Sequence, residues 1–478
     1  MESPVGVKGR KWQAADDSVI FKKNETMKTR MTKLSLAVCK ELCTFAEDKK
    51  EEIMSPIKNT LSLLSFVMCL LIMLVGCNSR PKSLKAIAAE TEEDYRLSDE
   101  QRMIVRNGNE FSLNLFKKIA ENENGKNIFV STIGMYYALN IINNGASGAT
   151  QQEICKALNY DIEDMERINK FCRRLIIGQA ITAEDLFFGS SSYMRNATLF
   201  VAGKDVDIDK SFKETLNHNY FAGVINGEID AERQSTIDKW CSQQTDGMLN
   251  SMPIQQGNGN SADLFVANYF NGRWIQEFDK SDTKEEPFYG GTSSTVQMMN
   301  KTEHEKVFCY AKVDDFSLLD IPYVGGYSIF IILPDKVDGL KSVLQSLNIR
   351  KVRSAVRQSR SYTYVYVKLP KFEVDYEFKA GQYLKSLGIS KLFSNSFELD
   401  RIQSQPMKIS DISQRTKVIL DEDGTRAAAI TSASFASLSE SMNKTEAYFY
   451  ADHPFAYIIQ DPFGNFCFMG TFWGYEKE

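Results

Sequence analysis

The sequence has only three histidines in 478 residues, His218, His304 and His453. None sits in an HExxH pattern, which excludes a zinc hydrolase of that type, and no GxSxG turn presents a nucleophilic serine. CxxC spacing is absent as well. The thiols beyond Cys77 are Cys155, Cys172, Cys241, Cys309 and Cys467, an odd number that argues against metal or redox chemistry. Buried free cysteines acting as small apolar residues are expected instead. There is no long Lys/Arg run, and the formal net charge is -5, so nucleic acid is not an expected partner. No basic helix face suggesting a heparin-like cofactor stands out, and no cofactor is expected. Linkers rich in Pro, Gly or Ser are missing, apart from "QQGNGNSAD" (Gln255–Asp263), and no internal repeat occurs.

What remains is unremarkable in bulk, 43% hydrophobic and 25% charged, with enough length for a large core. "NGASGAT" (Asn144–Thr150) lacks the Lys-Ser/Thr of a phosphate-cradling loop and reads as a helix-ending turn. Glu285-Glu286 and Asp314-Asp315 read as solvated charge. His453, just before Pro454, reads as a structural hydrogen-bonder.

Residues 1–53 are mixed in charge and carry no sustained period, and they read as a non-native extension. "MSPIKNTLSLLSFVMCLLIMLVGCNS" follows, with start-capable Met54, Lys58, an apolar stretch from Leu61 to Val75 and then Gly76-Cys77. That is a signal-peptide layout over 54–76. Its ending resembles the bacterial lipobox, which implies lipidation of Cys77, a tether over 77–96 and a folded domain over 97–478. The location expected from this is the cell envelope, periplasmic or at the surface, or the extracellular space. A transmembrane helix is the alternative, the apolar stretch being slightly short for a span.

In the folded part, helices come early. "DEQRMIVRNGNEFSLNLFKKIAEN" carries a helical stripe of Phe111, Leu115, Phe116 and Ile119. "STIGMYYALNIINNGA" is similar and stops at Asn144-Gly145, and "STIDKWCSQQTDGMLNSM" breaks at Gly247. Strands come late: "YSIFIILPD", "YTYVYVKLPKFEVDYEF" (Tyr362–Phe378), "AYIIQD" and "NFCFMGTFW" are rich in aromatic and β-branched residues. This order predicts an α+β fold with largely antiparallel sheets.

Several blocks in fixed order resemble the serpin family: "NIFVSTIGMYYALNIINNGASGATQQEICKAL", "IDKWCSQQTDGMLNSM", "VANYFNGRWIQEFDKSDTKEEPFYGGTSSTVQMMN", "VKLPKFEVDYEFKAGQYLKSLGISKLF" and "ADHPFAYIIQDPFGNFCFMG". The most specific match is "EDGTRAAA", with Glu422, Gly424, Thr425, Ala427, Ala428 and Ala429 where inhibitory serpins carry their hinge. The resemblance implies three β-sheets, about nine helices and an exposed reactive-centre loop. It also implies a monomer that is not an enzyme but baits serine, and in some cases cysteine, endopeptidases. A protease cuts the loop, is held as an acyl-enzyme, and the loop enters the central sheet as a new strand, serpin loop insertion being a standard example of strand addition to a sheet. A non-inhibitory serpin acting as a binding protein or plain protease substrate is the alternative.

Strand geometry adds a test of the loop. Alternate residues share a face, so Thr425, Ala427, Ala429, Thr431, Ala433 and Phe435 form one series, uncharged throughout. Arg426, Ala428, Ile430, Ser432 and Ser434 form the other, which holds the only charge. Insertion is compatible with the first series facing the core. The resemblance places the bait bond between Leu438 and Ser439, with Phe435, Met442 and Lys444 as alternatives. Leu438 suits chymotrypsin-, elastase- or subtilisin-like targets. In the family's sheet-opening region Ser131 keeps its place, Thr132 stands for Pro, Gly134 for Ser, Val266 near the usual Asn with Asn268 two residues on, and Gln414 near the usual His. A pairing of Ser131 with Gln414 is expected.

Overall fold

The first stripe of apolar residues folds as its spacing predicts. In a computed structural model, which describes residues 96–180, 192–227, 230–252, 259–362, 364–394, 398–425 and 445–475, helix α1 (Asp99–Asn122) buries Phe111, Leu115, Phe116 and Ile119. Ser98 caps it, accepting from Gln101 N–H while the Gln101 side chain accepts from Ser98 N–H, a reciprocal pairing that satisfies two end donors.

Next come β1 (Ile128–Val130), α2 (Thr132–Gly145), α3 (Gly148–Leu158), α4 (Met165–Ala180), β2 (Tyr193–Ala202), α5 (Lys210–Thr215), β3 (Gly223–Asn226), α6 (Ala231–Gln244) and β4 (Ser261–Arg273). The chain continues through β5 (Lys284–Pro287), β6 (Thr295–Glu303), β7 (Cys309–Val313), β8 (Phe316–Pro322), β9 (Ser328–Pro334), α7 (Leu340–Ser346), α8 (Ile349–Gln358), β10 (Arg360–Ser361), β11 (Tyr364–Pro370) and β12 (Phe372–Lys379). It ends with α9 (Gly381–Ser386), β13 (Lys408–Leu420), β14 (Gly424–Thr425), β15 (Glu446–Tyr450), β16 (Phe455–Gln460) and β17 (Phe466–Phe472).

The strands form three sheets. A seven-stranded one runs β1-β17-β16-β9-β8-β7-β10, a four-stranded one β15-β11-β6-β5, and a six-stranded one β12-β13-β14-β4-β2-β3. The fold is α+β with three sheets and nine α-helices among the described residues.

Two sequence boundaries shift. Tyr362–Phe378 is not one strand, because its two halves serve different sheets. Pro370, which has no N–H for a ladder, ends β11, and Lys371 N–H leaves to Gln297 O before β12 starts. "QQGNGNSAD" is not loop to its end, since Ser261, Ala262 and Asp263 belong to β4 and are buried.

The main core lies beneath the six-stranded sheet. A smaller apolar cluster covers the other face, where Ile237 and Cys241 of α6, with Leu249 and Met252, pack on Ala197, Leu199, Phe265 and Ala267. The sheet is therefore covered on both faces. Cys155, Cys172, Cys241 and Cys467 are buried free thiols and Cys309 is half-buried. His453 bridges Asp452 and the Pro334 carbonyl oxygen. No helix among the described residues is long and apolar enough to cross a membrane; residues 54–76 lie outside them.

Candidate functional site: a slot in the six-stranded sheet

At the top of β13, Asp421 turns the chain. Its Oδ1 accepts from the N–H groups of Asp423 (3.0 Å) and Gly424 (3.2 Å), the local bonding that makes Asp a turn former. Gly424 has φ +146°, and a Cβ there would collide with the carbonyl oxygen of Gly272. Only glycine fits. The turn sends Gly424 and Thr425 back between β13 and β4 as β14, antiparallel to both: Thr425 lies opposite Leu420 on one side and Gly272 on the other. The chain has entered the slot by two residues where the described segment stops.

The turn is anchored from several directions. Trp274 donates from its backbone N–H to Asp423 O (3.2 Å) and from its indole to Asp421 O (3.0 Å). Glu422 is buried, accepting from Thr283 Oγ1 at 2.8 Å and pairing with Lys371 Nζ at 3.0 Å. Burial alone would push the Glu422 carboxyl up, but hydrogen bonds from the backbone, Thr283 and Lys371 outweigh it and hold the group below its ordinary range. Asp421 goes the other way, raised by burial and then by the nearby charges of Asp423 and Glu422. Thr425 points inward: it is buried and its hydroxyl meets Tyr323 OH at 2.6 Å. Tyr323 in turn stacks on Trp274 at 4.2 Å.

Below β14 the slot is closed. β13 and β4 pair in parallel, from Lys408 opposite Ser261 to Thr416 opposite Asn268, with an irregularity between Ile409 and Ile412. Above Thr416 the two strands no longer pair with each other. A strand entering further would replace this parallel seam with two antiparallel ladders.

The polar groups under the seam are sorted onto its two sides. Ser131 and Gln414, 283 residues apart, meet through Ser131 N–H to Gln414 Oε1 (2.8 Å) and Gln414 Nε2 to Ser131 O (2.9 Å). The Ser131 hydroxyl is occupied elsewhere, accepting from Gly134 N–H to cap α2. On the other side, Asn268 of β4 donates to Asn196 of β2 (2.9 Å), Asn196 to Gln179 (2.6 Å), and Gln179 to the buried Asp461 (2.7 Å). Gly134 has a reason to lack a side chain, because a Cβ would collide with Asn268 Oδ1. Neither the Gln414 bonds nor the Asn268 bond crosses from β13 to β4.

Glu422, Gly424, Thr425, Ser131 and Gln414 are thus placed along one seam. Ala427, Ala428, Ala429, Leu438, Ser439, the alternatives Phe435, Met442 and Lys444, and Cys77 lie outside the described residues. Three features escaped the sequence reading. Asp263 faces the lower seam, and burial, with Asp411 nearby, pushes its carboxyl up to about 7. Glu286 is not merely solvated, since it pairs with Lys368 and accepts from Asn300. Helix α8 does carry a basic face, Arg350, Lys351, Arg353 and Arg357 with no carboxylate of its own; its interleaved Val and Ala, buried on one side, disguise it in the linear sequence.

A family model described as "Serpin (serine protease inhibitor)" matches residues 106–474. The chain belongs to the serpin family. Among its serpin relatives, Serine proteinase inhibitor 2 of Variola virus is 27% identical over 367 residues, covering 75% of this chain and 98% of that protein. Serpin-ZXA of Oryza sativa subsp. japonica is 28% identical over 373 residues, covering 72% and 89%. The native thermophilic serpin tengpin superimposes with a TM-score of 0.69 at 22% identity, over 80% of this chain and 96% of tengpin. Human thyroxine-binding globulin gives 0.68 at 21% identity over 79% and 100%. Both establish the serpin fold. The family is one of protease inhibitors in general.

Proposed function

We propose that this serpin is a suicide-substrate inhibitor of serine endopeptidases, and that it works by completing the insertion that β14 has begun. The observation that carries the reading is β14 itself, two hinge residues already hydrogen-bonded between β13 and β4. The protease serine attacks the Leu438 carbonyl carbon, the Leu438–Ser439 bond breaks, the proton passes to the Ser439 amine, and an ester links Leu438 to the enzyme. The freed strand then follows Thr425 into the slot. With Thr425 inward, Ala427 and Ala429 fall on the core side and Arg426 and Ile430 on the side toward α6. About a dozen residues gaining ladder bonds at roughly 1 kcal/mol each supply on the order of 10 kcal/mol, comparable with the stability of a whole domain.

Leu438 favours chymotrypsin-, elastase- or subtilisin-like targets, and the same acyl chemistry extends to cysteine endopeptidases. The serpin acts as a monomer and turns over no substrate of its own. It is held at the cell envelope through a lipid on Cys77. Incubation with chymotrypsin, pancreatic elastase, subtilisin and trypsin, followed by denaturing gels and mass spectrometry, tests the reading. A covalent complex carrying the chain through Leu438 is expected. Cleavage without complex by all four would overturn it, and a complex ending at Lys444 would move the bait and redirect the target to trypsin-like enzymes. The anchor is tested separately: Cys77→Ser should release the protein from membranes, and unchanged retention would remove the lipid from the account.

A further inference from the structure

His453 is the one histidine that the fold buries; His218 and His304 are exposed. Its Nδ1 lies 2.7 Å from Asp452 Oδ1 and its Nε2 lies 2.8 Å from the Pro334 carbonyl oxygen. An ionised carboxylate and a carbonyl can only accept, and a neutral imidazole carries a single N–H. Both contacts are therefore hydrogen bonds only when the ring is a doubly protonated imidazolium. The place is a junction between two sheets. β15 is the end strand of the four-stranded sheet and pairs with β11 alone. β16, after only residues 451–454, lies inside the seven-stranded sheet between β9 and β17. Pro334 ends β9, so His453 stitches the exit from β15 to the strand that flanks β16.

We propose that His453 is a pH-sensitive latch: as an imidazolium it fastens the exit of β15 to the end of β9, and its deprotonation as the pH rises loosens β15 and with it the far end of the reactive loop. The latch stands on this geometry, while its effect on protease trapping rests on the inhibitory reading above. An uncut loop is held by Thr425 in the slot at one end and by β15 at the other. More of it can follow Thr425 into the seam only if the β15 end yields, and β15 is held by one ladder.

The surroundings favour the charged ring. Burial works against it, but the bonds to Asp452 and Pro334 O and the charges of Asp452 and Asp335 outweigh burial and raise its pKa above the ordinary value of 6.5. Asp335 is itself paired with Lys312 of β7. The β5–β6 connection brings the Tyr289 N–H to Asp452 O (2.7 Å), and β11 brings Lys368 O to the Ala451 N–H (2.8 Å). The Lys368 ammonium is taken by Glu286. A raised pKa gives stability that is fully present below about 6.5 and is lost as the pH rises through the folded value. The latch is closed in mildly acidic solution and opens toward alkaline pH.

The test is amide hydrogen exchange of β15 in the full chain at about pH 6 and about pH 9, expressed as protection factors so that the intrinsic pH dependence of exchange cancels. Wild-type protection should fall about tenfold between the two, as one charged hydrogen bond is lost. His453→Arg, cationic at both, should keep the high protection throughout, and His453→Gln should be low and flat. Wild-type protection that does not change, or that changes equally in all three proteins, would overturn the proposal. If His453→Arg fails to fold, Asp452→Asn decides: without that carboxylate the midpoint of the fall should move to lower pH, and an unmoved midpoint overturns the latch. The loop is read separately. Serpin held at either pH and assayed at one common pH should lose its ability to trap protease about tenfold faster at the higher pH in the wild type, and at equal rates in His453→Arg. Equal rates in the wild type would overturn the link to the loop. A wild type that traps no protease removes the inhibitory reading, and exchange alone then decides the latch.

Discussion

In the seven-stranded sheet every neighbouring pair is antiparallel, from β1–β17 through β16–β9 to β7–β10. The six-stranded sheet is closed differently: β4 and β13 meet in parallel, come from distant parts of the chain and pair only up to Asn268 and Thr416. The first sheet is laddered without a break across its centre. On the proposed mechanism the second keeps a seam open to exchange, because a strand entering there would pair on both sides while the parallel seam pairs once. The difference teaches where the proposed mechanism would act: between strands whose present pairing is the poorer of two available.

The sharpest way to break that comparison is at the entrance. Thr425→Arg places a charge against buried Tyr323, where an unpaired ion costs several kcal/mol. Covalent complex yield should fall at least about tenfold, with cleaved serpin replacing it on a denaturing gel. Unchanged yield would mean that Thr425 is not on the inward series.

The lower seam gives the next effect. The Asp263 carboxyl is raised to about 7 in the folded state, so it stays protonated where the unfolded chain has ionised. The closed sheet therefore loses stability as the pH rises from the unfolded value near 3.9 to about 7, on the order of a few kcal/mol. Asp263→Asn, which cannot ionise, should melt higher than wild type at pH 8 and close to it at pH 4. Equal melting at both pH values would mean that the acid does not strain the seam.

Gln414→Leu tests the β13 side. It takes the acceptor from the buried Ser131 N–H, while Ser131 O keeps Met135 N–H, which should destabilise the native state by about 2 kcal/mol in denaturant unfolding. The smallest effect concerns Glu422. Its pKa is depressed, so its stabilisation is present above the ordinary carboxylate range and is lost as the pH falls through the folded value. Glu422→Gln should lower stability by about 1 kcal/mol near neutral pH and flatten the decline below roughly pH 4.5.

Much of this was legible in the sequence, and the rest was hidden for identifiable reasons. α1 could be read because one face of it alone is buried. The Glu422–Thr425 segment was marked through its resemblance to the family, and the structure places the acid in a buried ion pair and the glycine where no side chain fits. The split of Tyr362–Phe378 was not legible, since strand propensity runs unbroken across Pro370 and only the sheets differ. Asp263 looked like loop because a polar residue inside a strand covered on both faces defies alternation. The stacking of Tyr366 on Tyr448 needs the parallel pairing of β11 with β15, a register that no local pattern encodes. Gly134 is the reverse case: an apparent departure from the family becomes a fitted position once Asn268 is seen above it.

The exchange of the parallel seam for an inserted strand is the central claim, and thermal unfolding before and after cleavage of the reactive loop tests it most directly. The cleaved serpin should melt well above the intact one, by roughly 10 °C or more if on the order of 10 kcal/mol is released. A melting temperature that stays the same or falls after cleavage at Leu438 would contradict it, because a strand that inserted between β13 and β4 could not leave the sheet as unstable as it was.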